Sequence, residues 1–503
     1  MVVGGNTNRL VRKQDLVHVA ILLAVALGIG VYLIATAVLI AKDGVFYIER
    51  AQQFPSNPVG IIKTHPPGYP FLIFIAHQFV TFFSGSSWMY SWIYCAQSVT
   101  LLCRILSLIP LYFIGKILVG SRNSFWALLI LTLLPYPTKF GSDALSDWPH
   151  IVFLVTGFWL LLLGAKFSKW WMFGCVGIIA GMGYLIRTEC CQLVIYGGGW
   201  LLFNLIRPKN KMSRKSAVGA LVLLLAGFAV IAVPYMRFVG YLFPEQRIGS
   251  VSIFANMGRS NIDAVNEAGV CFAGFAPLEV AEGIWKLLNN ICETLMYYFI
   301  PALFIGVYHY FRKQTKSAEN FFFVTAFVLL NIVVSLWLYY RTNFISKRHS
   351  LPLVVFTIFY VPIGLQILAN WLRSKFFRVQ PESKGNPQLC FFILLIIGVA
   401  ICLPKLLRPM RIKKEGYRTA SAWLKENAAK EDLIAVFDRR ISFYAERKGL
   451  IYDKKVSKRA KYVVKIVKDE DKKPEFGRTV QERYSVRMNK REKKKRIVIY
   501  EVL

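Results

Sequence analysis

The sequence predicts a polytopic α-helical membrane protein of about 11 transmembrane helices, followed by a small C-terminal extracytoplasmic α/β domain. Three observations carry that reading. Apolar residues make up 55% of 503 and mean hydropathy is +0.45, too apolar for a water-soluble globule of this length. Runs of about 20 apolar residues, the length that crosses a bilayer core, follow one another along most of the chain. After residue 404 the pattern changes to short apolar alternations set among many charges.

The first run, 16–41, is too long for a signal-peptide core and lacks a small-residue cleavage site, so it reads as an uncleaved first span. Arg9, Arg12 and Lys13 precede it, which places the N-terminus in the cytoplasm. Further basic clusters stand at 116–122, 166–169, 207–215, 312–316 and 373–384. They share the cytoplasmic side only if the apolar piece at 70–83 does not cross. At roughly 14 residues that piece has the length of an interfacial or re-entrant helix. Spans are then expected at 16–41, 90–118, 122–137, 148–165, 170–187, 190–206, 216–240, 288–311, 319–340, 350–371 and 388–404. The odd count puts the tail outside. The expected domains are thus a bundle over 1–404, with a first outer loop at 42–69, and a basic extracytoplasmic domain over 405–503.

Lys and Arg number 62 against 28 Asp and Glu, a net charge of +34. In a membrane protein this reads as loops that orient the chain and bind anionic lipid headgroups, rather than as a nucleic-acid surface. No zinc-ligand spacing and no phosphate-cradling glycine loop is present, so a nucleotide-driven pump is excluded. Most of the nine cysteines lie inside spans as small apolar groups. Cys271 and Cys292 are a candidate bridge if their loop faces an oxidising compartment.

The tail from Lys405 carries 30 Lys and Arg and 14 Asp and Glu. "TASAWLKENA" and "ISFYAER" read as helices, and "DLIAVFD", "KYVVKIV" and "RIVIYEV" as strands. Its charge suits attachment to anionic lipid or polymer.

With this threading, the ionisable residues of interest collect on one outer face. Asp43 follows the first span directly, where partial desolvation suits a carboxylate for general-base work. "HPPGYP" cannot begin as a helix, because each proline restricts itself and its predecessor. It makes a stiff corner that fixes His65 and Tyr69 beside Asp43. In "KFGSDALSDWPH", Asp143 and Asp147 stand four apart, on one face if the segment is helical. Arg187 and Glu189 end the fifth span, and Lys347, Arg348 and His349 open the tenth. Cations at the outer face run against the inside bias, and an anionic lipid phosphate accounts for them. Arg104, in mid-span, serves likewise or binds an internal carbonyl.

In this order, "DGVFYIERAQQF…HPPGYPFLI", the acidic "SDALSDWP", the Arg-x-Glu at 187–189 and "RHSLP" resemble the GT-C glycosyltransferases. The similar branch is the protein O-mannosyltransferase-like one, which includes bacterial enzymes that modify lipid A with aminoarabinose. The resemblance spans nearly the whole chain. It implies a membrane enzyme that moves one sugar, with inversion, from a polyprenyl-phosphate carrier to an extracytoplasmic acceptor. Asp43 matches the first-loop acid and is implied as base. Asp147 matches the second acidic motif and is implied to orient acceptor or sugar. Arg187, Lys347 and Arg348 are implied for the phosphate, with His65 and Tyr69 shaping the donor side and Asp143 and Glu189 among the substrate-binding residues. A single Asp stands where the eukaryotic mannosyltransferases carry Asp-Glu, and His349 stands where an aromatic is usual. The expected partners are the lipid-linked donor, an acceptor of unspecified class and membrane lipids. No cofactor and no metal ligands are assigned; two outer carboxylates could hold a divalent cation, although hard-cation sites usually need more oxygen ligands. A flippase or transporter would show related halves and ionisable groups near span centres. A glycan ligase or polymerase would show a dominant long outer loop.

Overall fold

The computed structural model describes residues 12–85, 88–206, 212–240, 277–313, 318–376, 387–452, 456–468, 479–489 and 494–503. Cys271, most of the expected 241–287 loop and parts of the basic clusters at 207–215, 312–316 and 373–384 lie outside the described residues.

The first eleven helices are α1 (Lys13–Ala35), α2 (Lys42–Gln53), α3 (Pro58–Thr64), α4 (Gly68–Ser84), α5 (Met89–Val119), α6 (Ser121–Leu133), α7 (Pro135–Phe140), α8 (Asp147–Phe167), α9 (Trp170–Tyr184), α10 (Gln192–Ile206) and α11 (Arg214–Val239). Helices at Pro277–Thr294, Ile300–Lys313, Ala318–Thr342, Leu351–Thr357, Val361–Phe376 and Pro387–Leu407 complete the bundle. Among the described residues, eight helical segments are long and apolar enough to cross a membrane, and α4 and α9 are shorter apolar helices.

The structure departs from the expected spans where short-range chemistry interrupts an apolar run. The first helix stops at Ala35 rather than 41, because Val38 donates its amide to the Met410 carbonyl at 3.2 Å and the chain turns. The 122–137 span ends at Leu133, since Pro135 forces Leu134 into an extended conformation. The 288–311 span is broken between Thr294 and Ile300, where Met296 and Tyr297 adopt left-handed backbone angles. The first outer loop is not a loop but two helices, α2 and α3.

The short helix α4 folds back along the first turns of α5. Tyr69 hydrogen-bonds to Thr100 at 2.8 Å, and His77 bonds to Ser91 while stacking on Trp92. At the far end of α5, Lys116 pairs with Asp15 at the start of α1. The α4 helix therefore covers only one end of α5 and leaves Phe71, Phe79, Phe82 and Phe83 exposed. An interfacial helix needs this arrangement.

One large apolar core runs through the bundle, from Leu22 on α1 to Cys402 on the last long helix. The close approach of α9 to α11 depends on small residues: a Cβ at Gly177 would meet the Leu224 carbonyl oxygen at 2.2 Å.

The C-terminal part folds as a five-stranded sheet, order β2-β1-β3-β5-β4, from β1 (Leu433–Val436), β2 (Lys448–Ile451), β3 (Tyr462–Lys468), β4 (Val480–Arg487) and β5 (Lys495–Val502). The first pairings, β1 with β2 and with β3, are parallel; β5 pairs antiparallel with β3 and β4. Strands β2 and β4 are additional to those expected. Helices Glu415–Asn427 and Arg439–Tyr444 cover one face, and their core residues Tyr417, Leu424 and Ile441 continue into Ile48, Tyr69 and Ile93 of the bundle. The sheet domain thus braces α2 directly. Tyr444 accepts the Ile40 amide at 3.1 Å, and Arg439 pairs with Glu49 at 3.3 Å.

Candidate active site

The bracing matters because α2 carries Asp43 in its first turn, where a carboxylate is favoured by the helix dipole. Asp147 opens α8 in the same way. The two acids meet through one arginine. Arg348 donates from Nη1 to Asp43 Oδ2 at 2.5 Å and from Nε to Asp147 Oδ2 at 2.8 Å. Arg187 closes the chain, with Nη1 3.2 Å from Asp147 Oδ1 and Nε donating to Ser146 Oγ at 3.2 Å. Tyr47, one turn beyond Asp43 on α2, shares Ser146 Oγ at 3.0 Å. Four sequence-distant segments therefore place two carboxylates and two guanidinium groups in one continuous network.

The two carboxylates are not equivalent. The Asp43 side chain is 44% exposed, whereas that of Asp147 is 2% exposed. Burial alone would make Arg348 easier to deprotonate, but Asp147 and Asp43 outweigh it and hold the guanidinium above its ordinary range. Burial pushes the Tyr47 hydroxyl upward, so it stays protonated and acts as a hydrogen-bonding group. His349 is pulled down to about 4 by burial and by Arg187, so it is neutral at physiological pH. Its Nδ1 accepts from the Ser346 amide at 3.1 Å.

The other expected site residues are placed differently. Lys347 turns to Glu293, with which it forms an ion pair, and to the Tyr136 hydroxyl at 2.9 Å. Burial works against its charge, but these two partners raise it above the ordinary lysine range. Asp143 is not on a helical face with Asp147, because α8 begins only at Asp147 and Asp143 lies in the preceding turns. Its Oδ1 accepts the amides of Ala41 and Ala144, each at 2.9 Å, and Oδ2 pairs with Arg411. That carboxylate ties the start of α2 to the linker of the sheet domain. His65 lies edge-on to Phe46 with ring centroids 4.8 Å apart, and Tyr69 lies edge-on to Tyr47 at 4.9 Å, so both back the α2 helix. Arg104 binds internally, to the Thr132 carbonyl and the Thr138 hydroxyl, each at 3.3 Å.

Glu189 stands within electrostatic reach of Arg187, His150 and His349. His150 and Thr188 are buried beside it and were not singled out from the sequence; the spacing of His150, one turn after Asp147, was the available signal. The "HPPGYP" corner reaches this region through the backbone. Gly68 donates its amide to the Leu185 carbonyl at 2.7 Å, and a Cβ there would meet the same oxygen at 2.7 Å.

A divalent cation does not fit these residues as placed. Among the described residues, no group of three or more His, Cys, Asp and Glu is disposed to hold one. The position between Asp43 and Asp147 belongs to the Arg348 guanidinium, which matches two carboxylates by charge and geometry.

An apolar groove of about 850 Å³ lies between α4, α5 and α8. Leu72, Val99 and Phe153 line it, each about one turn beyond Tyr69, Ala96 or His150.

Residues 64–233 match the sequence model of the dolichyl-phosphate-mannose-protein mannosyltransferase family. No curated protein sequence matches the chain. Among solved structures, the fold is similar to the oligosaccharyltransferase AglB of Archaeoglobus fulgidus in complex with an inhibitory peptide and a dolichol-phosphate. That likeness has a TM-score of 0.59 and 12% identity, over 90% of this chain and 69% of AglB. It is also similar to ArnT of Cupriavidus metallidurans bound to undecaprenyl phosphate, with a TM-score of 0.57 and 12% identity, over 96% of this chain and 97% of ArnT. The chain is thus a multi-pass membrane protein with the GT-C glycosyltransferase fold, and within it lies a segment that matches the protein mannosyltransferase family.

Proposed function

We propose that the protein transfers a single sugar, with inversion, from a polyprenyl-phosphate carrier to an acceptor outside the cytoplasm. The observation that carries this reading is the Asp43–Arg348–Asp147–Arg187 network, and an apolar groove lies between the neighbouring helices α4, α5 and α8. A glycosyl phosphate needs three things from a protein: cations for the leaving phosphate, a base for the attacking hydroxyl, and a surface for the lipid chain. The network offers the first two, and the groove of about 850 Å³ suits the third. The polyprenyl phosphates named with AglB and ArnT support the same class of carrier.

The chemistry follows from the contacts. The acceptor oxygen attacks the anomeric carbon while the bond from that carbon to the phosphate oxygen breaks. Its proton passes to Asp43, and the released phosphate keeps the bonding pair. Arg187 and Arg348 meet the growing charge on the phosphate, where charge-assisted hydrogen bonds act most strongly. An Arg348 N–H covers one of the two Asp43 oxygens, Oδ2. A phosphate that draws Arg348 toward itself uncovers that oxygen. Donor binding then prepares the base. Asp147, fully enclosed, holds both guanidinium groups at the phosphate position.

The test is chemical analysis of the cell envelope. A strain lacking the gene should lose one monosaccharide from one class of lipid, protein or polysaccharide. The parent gene should restore it and Asp43→Asn should not. An envelope unchanged by deletion would sink the proposal.

A further inference from the structure

Buried polar groups in folded proteins almost always find a partner, and roughly 90% or more do so. Beside the Arg187 end of the network, several do not. His150 Nε2, Thr188 Oγ1 and Glu189 Oε2 are buried atoms with no hydrogen-bond partner among the described residues. Asp147 Oδ1 joins them: it faces Arg187 at 3.2 Å as an ion pair but lacks hydrogen-bond alignment. His150 is 3% exposed and Thr188 is fully buried, so bulk water does not satisfy them. Arg187 pairs with Asp147 at 3.2 Å and the Cys190 thiol donates to the His150 carbonyl at 3.8 Å, so the first turn of α8 lies against residues 187–190.

We infer that these four side chains form the pocket for the transferred sugar ring of the lipid-linked donor, an inference that rests on the proposed function. The class of ligand follows by elimination. A phosphate finds no cation among these four side chains, only the carboxylates of Asp147 and Glu189. A hard cation finds too few oxygen ligands and the Arg187 guanidinium beside them. An apolar group would leave every one of the polar atoms unmatched, at a cost for each. A polyol fits, because each hydroxyl both donates and accepts. The carboxylates accept its hydrogen bonds, Thr188 works in either sense, and the imidazole of His150 completes the set. The position agrees with the chemistry. A sugar here is adjacent to Arg187, so its phosphate lies on the cation and its anomeric carbon stands between pocket and network.

The experiment measures binding to the full chain in lipid nanodiscs. The ligands are bare polyprenyl phosphate and its mannose, glucose, galactose and arabinose conjugates. The parent should bind one conjugate more tightly than the bare carrier. Thr188→Val, which keeps the shape of the side chain, and His150→Phe should each reduce that preference about tenfold, equivalent to about 1.4 kcal/mol. Their affinity for the bare carrier, which also reports folding, should stay at the parent value. Variants that bind the bare carrier normally and keep the parent's full preference would overturn the inference alone, and would mean that water satisfies these atoms. A parent without preference for any conjugate would overturn the proposed function as well.

Discussion

The two ends of the bundle treat buried charge in opposite ways. Where α1 begins, one carboxylate is completely matched. Asp15 accepts from the Lys116 ammonium at 2.7 Å, from the Arg12 amide at 2.8 Å and from the Tyr112 hydroxyl at 2.8 Å. At the opposite end, two carboxylates share two arginines, Asp43 remains 44% exposed, and polar atoms of His150, Thr188 and Glu189 lack partners. The first arrangement fastens helices together. The second keeps hydrogen-bonding capacity unused, which costs stability and is retained where a ligand completes it. Both ends carry close ion pairs; among the described residues, what differs is the unmatched polar atoms around them.

The comparison breaks most visibly at Asp43. On the proposed mechanism Asp43→Asn lowers the transfer rate by about 10²- to 10⁴-fold, as loss of a general base does, with donor affinity little changed. Asp15→Asn should leave the rate per folded molecule at the parent value. A kinetic assay with lipid-linked donor reads both, and near-parental turnover by Asp43→Asn would remove the base from the site. Next in size is the phosphate contact. Arg187→Gln and Arg348→Gln should weaken donor binding about 10- to 150-fold, equivalent to about 1.5–3 kcal/mol. Lys347→Met should do less, because its ammonium already serves Glu293 and Tyr136. Titration of the carrier into nanodiscs measures this ranking; equal losses in all three would place Lys347 at the phosphate.

Smaller effects sharpen the other side of the comparison. Asp15→Asn should cost about 1–3 kcal/mol in stability, since Lys116 and Tyr112 lose their common acceptor. Denaturation in detergent would show it, and an unchanged midpoint would mean the fastener contributes nothing. The last effect depends on pH. His349 falls from an ordinary 6.5 to about 4 in the folded protein. Between those values the unfolded chain binds the proton and the folded chain does not, so folding is progressively disfavoured as pH drops from 6.5 toward 4. Above 6.5 the residue adds no slope. His349→Gln should flatten this acid limb in a pH series of thermal unfolding, and an identical limb in the variant would assign it to other groups.

Much of this was legible in the amino-acid order. Apolar run length gave spans such as 90–118, 216–240 and 319–340, the first two with Pro110 and Pro234 inside the helix, and the short run at 70–83 corresponds to α4. The tail's strands at 433–436, 462–468 and 495–502 follow from β-branched alternation. Strand β2 escaped because four residues, "KGLI", carry no period, and β4 because "VQERYSVR" is a charged edge strand. Of the site, Asp43, Asp147, Arg187 and Arg348 were legible as charges at span ends. Their mutual contacts were not, since Arg348 lies 305 residues from Asp43. Asp143 shows the limit of spacing arguments. Four residues from Asp147 is a helical interval only inside a helix, and the chain there is a series of turns.

The hydrogen bond from Gly68 to Leu185 links parts of the molecule that differ in their surroundings. On one side is α4, whose Phe71, Phe79, Phe82 and Phe83 are exposed; on the other, two residues along, is Arg187. Two prolines stiffen the corner between α3 and α4, and the missing side chain at 68 lets the backbones touch. This one hydrogen bond thus ties α4 to the turn that carries Arg187, with no loop between them to absorb a displacement.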